Sequence, residues 1–317
     1  ASATPCLTTV TYFIIKGISD VPELQLPIFL LILLVYLFTL TLAGNMTILV
    51  LVCLDLRLHT PMYFFLGNLS ILDICGSTIT LHNILFMFLT GYDRISYSTC
   101  ITQMYFFSCF TSNELLLLTA MGYDRYVAIC NPLHYSVVMN RRTCVVLAAA
   151  CSVVGFIEII PYVVLLLNLT CYKSNIINHF FCDIMFIIKL SCSDTSALDM
   201  LFFTGGLLVL GVTPFLLTFV SYSFIIAAIL RIRLSSGRQK AFYTCSSHLT
   251  VFILLYSSLF FQYVVPVCVG VSTLDFNKVF SLFNTAAVPI LNPIIYSLRN
   301  KDVSAALKHP KSPGLDP

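Results

Sequence analysis

The sequence is poor in charged residues. Only 10% of its 317 residues are Asp, Glu, Lys or Arg, whereas a soluble domain carries about 25%. With 58% hydrophobic residues and a mean hydropathy of +0.94, the chain could not cover a water-facing surface. We therefore expect the lipid bilayer to be its solvent. The net charge of +3 is too small to suggest a nucleic-acid partner.

Motifs for catalysis are also lacking. The thirteen cysteines form no CxxC pair and the six histidines no HExxH motif, so a catalytic metal centre has no support. Ser247 and His248 are adjacent, but neighbouring positions on a helix do not face each other. We therefore expect neither an enzyme nor a resident cofactor. The chain has no tryptophan, so Tyr and Phe must form any aromatic belt.

A transporter or channel would need inverted repeats, broken helices or lines of intramembrane charge. The sequence shows no repeat and only isolated acids. Solute flux into vesicles would test that class directly. The N-terminus shows no basic region followed by an apolar core and a cleavage site, so we expect no cleaved signal peptide.

Seven apolar segments are long enough to cross a membrane, which takes roughly 20 residues. They are 25–54, 60–89, 97–131, 142–167, 196–231, 240–266 and 274–298. This pattern predicts an all-α membrane protein: one seven-transmembrane helix bundle over 1–317, with a short amphipathic helix after helix seven. The expected non-membrane parts are an extracellular N-terminus (1–24), a long extracellular loop (168–195) and a cytosolic tail (299–317).

The distribution of Lys and Arg predicts the orientation. Twelve of them fall on the side that holds the C-terminus and five on the other, which puts the C-terminus in the cytosol and the N-terminus outside. Six cysteines then lie on or near the oxidising side. They are Cys6, Cys100, Cys171, Cys182, Cys192 and Cys268. Six cysteines allow fifteen connectivities, and the sequence alone does not choose among them.

A charge pair follows the apolar run of the third segment, in "MGYDRYVAICNPLHY". An isolated Arg125 there would be read as a positive-inside anchor. The surrounding text instead resembles the odorant receptor family of rhodopsin-like G-protein-coupled receptors, although Gly122 replaces the usual Ala. Four more stretches match in order: "GN" at Gly44, "LHTPMYFFLGNLSILD" at 58–73, "KAFYTCSSHL" at 240–249 with Tyr243 for the usual Ser, and "PILNPIIYSLRN" at 289–300.

This resemblance implies a conformational switch at the cytosolic side. Asp124 would hold Arg125 at rest and release it to receive a G protein, and an agonist must bind one of the two arrangements better. Pro293 would kink helix seven, because proline lacks a backbone donor. The implied switch residues are Asp124, Arg125, Tyr126, Tyr222, Asn292, Pro293 and Tyr296.

The resemblance also implies a ligand cavity between the outer halves of helices three, five, six and seven. Phe107 stands where amine receptors carry an acid, so we expect a small, neutral, mostly hydrophobic ligand held by one or two hydroxyls. The candidate ligand residues are Met104, Phe107, Ser108, Thr111, Ser112, Gly206, Leu207, Leu210, Tyr256, Leu259, Phe260 and Tyr263. Each has an alternative role in helix packing.

Three acids lie inside apolar segments, where a carboxylate indicates a functional site. By the resemblance, Asp73 and Glu114 would bind a sodium ion; the alternative is that both are protonated and hydrogen-bonded in the core. Glu158, in "GFIEIIPYVV", could face the cavity, pair with a polar neighbour, or be neutral and packed. We expect the last of these.

In the long loop, the resemblance pairs Cys100 with Cys182, which leaves Cys171 to pair with Cys192. Cys6 and Cys268 could form a third bridge, which is not part of the family pattern, or could remain two free thiols. The implied partners are a small volatile odorant, a stimulatory heterotrimeric G protein that raises cyclic AMP, and the bilayer. The implied location is the plasma membrane of olfactory sensory neuron cilia. A rhodopsin-like receptor for a non-odorant ligand is the alternative, which transcript location would distinguish.

Overall fold

The computed structural model describes residues 7, 10–18, 22–37, 44–232, 235–265 and 274–298. The predicted helical character is confirmed, with a small sheet in addition. In chain order the α-helices are α1 (Pro22–Leu37), α2 (Met46–Leu54), α3 (Pro61–Thr90), α4 (Tyr97–Cys130), α5 (Tyr135–Val138), α6 (Arg141–Ile157), α7 (Ile160–Leu167), α8 (Ile184–Leu190), α9 (Ser196–Leu201), α10 (Thr213–Leu230), α11 (Ser235–Leu259), α12 (Leu274–Leu282) and α13 (Val288–Leu298). The Cys6–Cys268 pair, the start of the N-terminal segment and the tail helix lie outside the described residues.

Five helical stretches in the described part of the chain are long and apolar enough to cross a membrane. They are Pro61–Thr90, Arg141–Leu167, Ser196–Arg231, Cys245–Val264 and Asn277–Ile295. A helix satisfies all its backbone polar groups internally, as hydrocarbon surroundings require. α4 is 34 residues long but more polar, because it carries Glu114, Asp124 and Arg125. The first expected span is described as α1 and α2, on either side of 38–43.

α4 lies at the centre of the bundle and packs against α3, α6 and α10. The side chains that face inward from it, such as Leu118 and Met121, are fully buried in the largest apolar cluster. Large apolar side chains cover the outside instead: Leu217 and Phe219 of α10 are 56% and 58% exposed. Such an apolar exterior suits lipid contact and would be a liability in water.

Helix boundaries follow local chemistry. Pro61 begins α3, and Gly91 ends it in the left-handed conformation (φ 66°). The Ser96 side chain then accepts from the Thr99 N–H and begins α4. Three π-helical stretches interrupt the later helices: Phe202–Val212, Phe260–Val264 and Phe283–Ala287. Stretches of this kind are frequent at functional sites.

A small three-stranded sheet covers the end of the bundle near the long loop. β1 (Tyr12–Ile15) pairs antiparallel with β2 (Arg94–Ser96) and parallel with β3 (Ile176–Ile177). Within the long loop, α8 packs its buried face, including Ile187, against the cluster beneath it. The segment that the sequence suggested only as an N-terminal tail thus ties the long loop to the loop between α3 and α4.

Candidate ligand cavity and switch

A cavity of about 620 Å³ lies between α4, α10, α11 and the long loop. Its volume falls within the usual range for small-molecule sites. Eleven of the twelve candidate ligand residues line it: Phe107, Ser108, Thr111, Ser112, Gly206, Leu207, Leu210, Tyr256, Leu259, Phe260 and Tyr263. The wall is mostly aromatic and aliphatic, so it complements an apolar molecule.

Met104 is the candidate that does not line the cavity. It is fully buried under the long loop in the cluster that contains Cys100 and Cys182. Its sulfur lies 3.8 Å from the Ser108 hydroxyl oxygen, one turn further along α4. Met104 lies one turn nearer the start of α4 than Ser108, which puts it above the cavity. It therefore contacts Ser108 without lining the cavity itself.

Several lining residues were not found from the sequence. Tyr162 and Ile159 enter from the junction of α6 and α7, Ile184 from the long loop, and Phe215 and Phe252 from α10 and α11. Their sequence signal is that of ordinary apolar helix packing. The Gly-Gly pair at 205 and 206 was the only local cue to an unusual helix surface, and Gly206 alone was a candidate.

The polar groups on the cavity wall are few. Tyr256 lines the cavity, and its hydroxyl is buried with no hydrogen-bond partner among the described residues. Tyr263 donates its hydroxyl to Asp183 Oδ2 of the long loop at 2.7 Å. Thr111, Ser108 and Ser112 add hydroxyl groups from α4.

The long loop is tied down over the cavity. Cys100 pairs with Cys182 and Cys171 with Cys192, each pair with Cα atoms 5.4 Å apart, in the connectivity that the resemblance implies. The Cys182 N–H donates to Gln103 Oε1 at 3.0 Å. Because the first bridge and this hydrogen bond meet at the same loop residue, the loop is held against the start of α4.

Two buried ionisable side chains of the long loop are perturbed. Burial raises the pKa of Asp183, although hydrogen bonds from Tyr263 and the Met185 N–H favour its charged form. Burial, together with the charge of Lys278, lowers the pKa of His179 to about 3. His179 Nδ1 accepts from the Phe181 N–H, so its Nε2–H is the atom that faces Ser281 Oγ at 3.1 Å. His179 is therefore neutral at physiological pH.

At the opposite end of the bundle, Asp124 is fully buried and holds Arg125. The Arg125 Nη2 and Nε atoms donate to Asp124 Oδ2 at 2.7 and 3.1 Å. The Tyr135 hydroxyl donates to the other oxygen at 2.8 Å, and burial followed by the Asp124 charge raises the pKa of this tyrosine. Both carboxylate oxygens are thus satisfied, and Arg125 is drawn back onto its own helix.

The remaining switch candidates fall into two groups. Tyr222 donates its hydroxyl to His248 Nδ1 at 2.5 Å, and His248 Nε2 donates to the Leu118 carbonyl at 3.0 Å, so this histidine links α10, α11 and α4. The sequence alone did not indicate this role for His248. Tyr126 is half-buried beside Phe224.

Near the middle of the bundle, Asn292 Nδ2 donates to both oxygens of Asp73, at 3.0 and 3.2 Å. Pro293 follows inside α13. Tyr296 lies on the same helix, and its side chain is outside the described part.

Asp73 and Glu114 line one small cavity of about 30 Å³, close to the volume that one water occupies in the liquid. Glu114 Oε1 has no hydrogen-bond partner among the described residues, and Ser77, Thr111 and Asn284 add neutral oxygens to the wall. Oxygen donors suit a hard cation. Within the described ranges, however, no group of three or more His, Cys, Asp or Glu residues converges on one point.

Glu158 lies between α6 and α7, and both of its carboxyl oxygens are buried without a hydrogen-bond partner in the described chain. Pairing with a polar neighbour, one of the three alternatives for this residue, is therefore not seen in this part of the structure. The side chain as a whole is only half-buried. Glu158 Oε1 and the Tyr162 hydroxyl oxygen both lie close to Gly205, where an added Cβ would be 3.3 and 2.9 Å from them.

Comparisons with known proteins agree with the geometry. A family model described as "Olfactory receptor" matches residues 32–311. Mouse Olfactory receptor 5G9 is 48% identical over 302 residues, covering 95% of this chain and 94% of its own length. Human Olfactory receptor 8A1 is 45% identical over 302 residues, covering 95% and 90%, and mouse Olfactory receptor 8G50 is 46% identical over 298 residues, covering 94% of each. The chain belongs to the olfactory receptor family.

Proposed function

We propose that this receptor binds a small, neutral, mostly hydrophobic odorant in the cavity between helices three, five and six; the described residues of helix seven, which the resemblance also implied, do not line it. The observation that carries the proposal is the 620 Å³ cavity, which has an apolar wall, a few hydroxyl groups and a disulfide-tied loop above it. Aromatic residues such as Phe215 and Phe252 supply contact area. Ser108, Thr111 and Ser112 offer hydroxyl groups for orientation.

We propose further that ligand binding releases Arg125 from Asp124 and activates a stimulatory, olfactory-type G protein, which raises cyclic AMP. The support is a buried charge pair at the far end of the bundle from the cavity, connected to it by α4. In this proposal seven helices cross the membrane, the N-terminus and the long loop lie outside, and the Arg125 end faces the cytosol. The expected site of action is the plasma membrane of sensory cilia.

A sodium ion at Asp73 and Glu114 is part of the same proposal. The small cavity and the unpartnered Glu114 oxygen support it. Sodium should raise the unfolding temperature of the purified receptor relative to potassium at equal ionic strength. Glu114→Gln should remove that difference, and an equal response of the wild type to both ions would contradict the proposal.

A cyclic AMP reporter screen against a broad panel of volatiles tests the function. Leu210→Trp should abolish the response to any agonist found, because Leu210 is 6% exposed and borders the cavity. Leu217→Trp is the matched control, since this residue of the same stretch is 56% exposed on the outer face. Arg125→Ala should abolish the cyclic AMP response while leaving surface expression largely intact.

Two results would refute the assignment: an unchanged response of Leu210→Trp to every agonist, or full signalling by Arg125→Ala. If the tryptophan variant does not reach the cell surface, Thr111→Val replaces it. That change removes one cavity hydroxyl without adding volume, so it should shift the concentration dependence for ligands that carry a polar group.

A further inference from the structure

The ligand cavity has two kinds of wall. Phe107, Ser112 and Leu210 line it from the inside of the bundle and are buried. Ile253 and Phe260 of helix six line the same cavity, yet 55% and 51% of their surfaces are exposed. Residues that border both the cavity and the outside of the bundle mark an opening in the wall. The cavity therefore opens outward between helix five (Ser196–Arg231) and helix six (Cys245–Val264).

Two aromatic contacts between these helices bound the opening. Farther from the long loop, the Phe215 ring lies 5.6 Å from the Phe252 ring and 5.4 Å from the Tyr256 ring. Nearer the long loop, the Phe202 ring lies 6.0 Å from the Tyr263 ring. The interval from Tyr256 to Tyr263 along helix six measures about 10 Å at 1.5 Å per residue. The opening therefore spans about two helical turns of helix six.

Helix five has no side chain at Gly211, which lines the cavity between these contacts. A Cβ built there would meet only the Gly206 carbonyl oxygen at 3.5 Å and Leu207 Cδ1 at 3.9 Å, both on its own helix. The π-helical stretch Phe202–Val212 packs against α4, α9 and α10, and among the described residues it shows no comparable packing against α11. The backbones of helices five and six are therefore separated at the opening.

The route to the cavity from the extracellular side is covered instead. The Cys100–Cys182 bridge and the hydrogen bond from Tyr263 to Asp183 hold the long loop in place. Ile184 of this loop lines the cavity from above. A ligand that arrives from water would have to displace these contacts, whereas a ligand dissolved in hydrocarbon would meet apolar side chains at the opening between helices five and six.

We propose that ligands enter and leave the cavity from the bilayer, through a lateral mouth formed by Val212, Phe215, Ile253 and Phe260. The inference rests on the proposed ligand cavity. All four residues lie within helical stretches that are apolar enough to cross a membrane, so lipid hydrocarbon faces the mouth. Neutral molecules that dissolve in lipid reach it, and permanently charged molecules do not, because an unpaired charge in hydrocarbon is costly. The mouth thus selects ligands by their solubility in lipid before the cavity wall contacts them.

The test measures rates of binding rather than signalling. The purified receptor in lipid nanodiscs is mixed rapidly with 1-aminoanthracene, a neutral aromatic molecule whose fluorescence increases in apolar surroundings. Nanodiscs without receptor give the lipid signal, and Leu210→Trp, which fills the cavity, shows how much of the remaining signal belongs to the cavity. Ile253→Trp narrows the mouth and should lower both the association and the dissociation rate constant about tenfold, or about 1.4 kcal/mol in each barrier. The dissociation constant should change little, because the mouth is empty once the probe is bound.

Three further variants complete the test. Leu217→Trp is the matched control, because Leu217 is equally exposed on helix five but does not line the cavity, so both rate constants should stay unchanged. Val212→Ala widens the mouth and should raise both rate constants, which keeps the proposal testable if Ile253→Trp does not fold. Asp183→Ala removes the hydrogen bond that holds the long loop to Tyr263, and the association rate constant should not rise.

Each contrary outcome has its own meaning. Unchanged rate constants in both mouth variants, or faster association in Asp183→Ala alone, would place entry at the long loop and overturn the lateral mouth while the cavity stands. A change in only the dissociation rate constant of Ile253→Trp would make Ile253 a ligand contact and would also overturn the mouth. A wild-type signal equal to that of Leu210→Trp would overturn the cavity and the mouth together.

Discussion

Two glycine-to-alanine substitutions should change stability in opposite directions. Gly122, on α4, replaces the alanine that is usual at this motif position. A Cβ at Gly122 would lie 3.4 Å from Thr218 Cγ2 and 3.7 Å from His248 Cε1, which are ordinary van der Waals distances. At Gly155, on α6, the same atom would lie 2.5 Å from Asn113 Nδ2, closer than real atoms approach.

The expected gain at Gly122 has two sources. Alanine is favoured over glycine inside a helix by about 0.8–1.0 kcal/mol. A newly buried methyl group contributes about 0.8 kcal/mol more. We expect Gly122→Ala to stabilise the receptor by about 1.5 kcal/mol, or about 3 °C at roughly 2 °C per kcal/mol. The new contacts join α4 to α10 and α11 beside the Tyr222–His248 hydrogen bond, so basal signalling should fall.

At Gly155 the steric clash should cost more free energy than alanine gains over glycine as a helix residue. The Asn113 amide must turn away, which breaks its 2.8 Å hydrogen bond to the Cys109 carbonyl. A buried amide that loses its partner costs about 1–3 kcal/mol, and the displaced side chain must still find room in a packed interface. We therefore expect Gly155→Ala to lower the unfolding temperature.

Thermal unfolding of the purified wild type and both variants, in the same detergent, decides the matter. Gly67→Ala is the control, because it changes only the helix preference: a Cβ there meets Val52 and Leu49 at ordinary distances of 3.7 and 3.8 Å. Shifts of the same sign for Gly122→Ala and Gly155→Ala would refute the reasoning, because it derives the difference in sign entirely from the Cβ distances.

Three further outcomes are expected. Tyr135→Phe removes the 2.8 Å hydrogen bond to Asp124, so basal cyclic AMP should rise at equal surface expression; no rise would show that the tyrosine does not restrain the switch. Cys171→Ser and Cys192→Ser should each lower stability by about 3 kcal/mol, which is the chain-entropy value for two cysteines separated by 21 residues. The double variant should be no less stable than either single variant, and unfolding measurements on all three would show this. Between pH 7.5 and 5 the free energy of unfolding of the wild type should fall by about 2 kcal/mol relative to that of His179→Gln. The reason is that His179 stays neutral in the folded protein, with a pKa of about 3, whereas in the unfolded chain it becomes protonated near pH 6.5. Parallel pH profiles of the two proteins would contradict this.

The positions of two helices could be predicted closely from the sequence because their boundaries have local chemistry. The expected segment 60–89 is observed as Pro61–Thr90, which begins at a proline and ends at a left-handed glycine. The expected 97–131 is observed as Tyr97–Cys130. The break after Ile157 inside the fourth expected span was not predicted, although Pro161 stands at the start of the next helix.

Features that depend on distant residues could not be predicted in this way. β1 is four residues long and pairs with strands of three and two residues, too short for a periodic pattern. The three π-helical stretches have no signature in hydrophobic spacing, since their extra residue per turn is fixed by packing against neighbouring helices. Met104 was predicted to line the cavity and does not, for a related reason. The resemblance indicates which face of the helix Met104 lies on, but not whether the long loop covers that part of the face.

The interior acids show how hydrogen bonding decides what a buried acid contributes to stability. In hydrocarbon surroundings an unsatisfied polar group costs several kcal/mol, so satisfied and unsatisfied acids respond oppositely to replacement by an apolar residue. Removing Asp124 would leave the Arg125 guanidinium buried and unpaired, which costs stability and frees the switch. Removing Glu158 would leave no described group without its partner, because no hydrogen bond in that part of the chain depends on it. The first acid is satisfied by the fold and the second is not, so replacement by an apolar residue should lower the stability at Asp124 and raise it at Glu158.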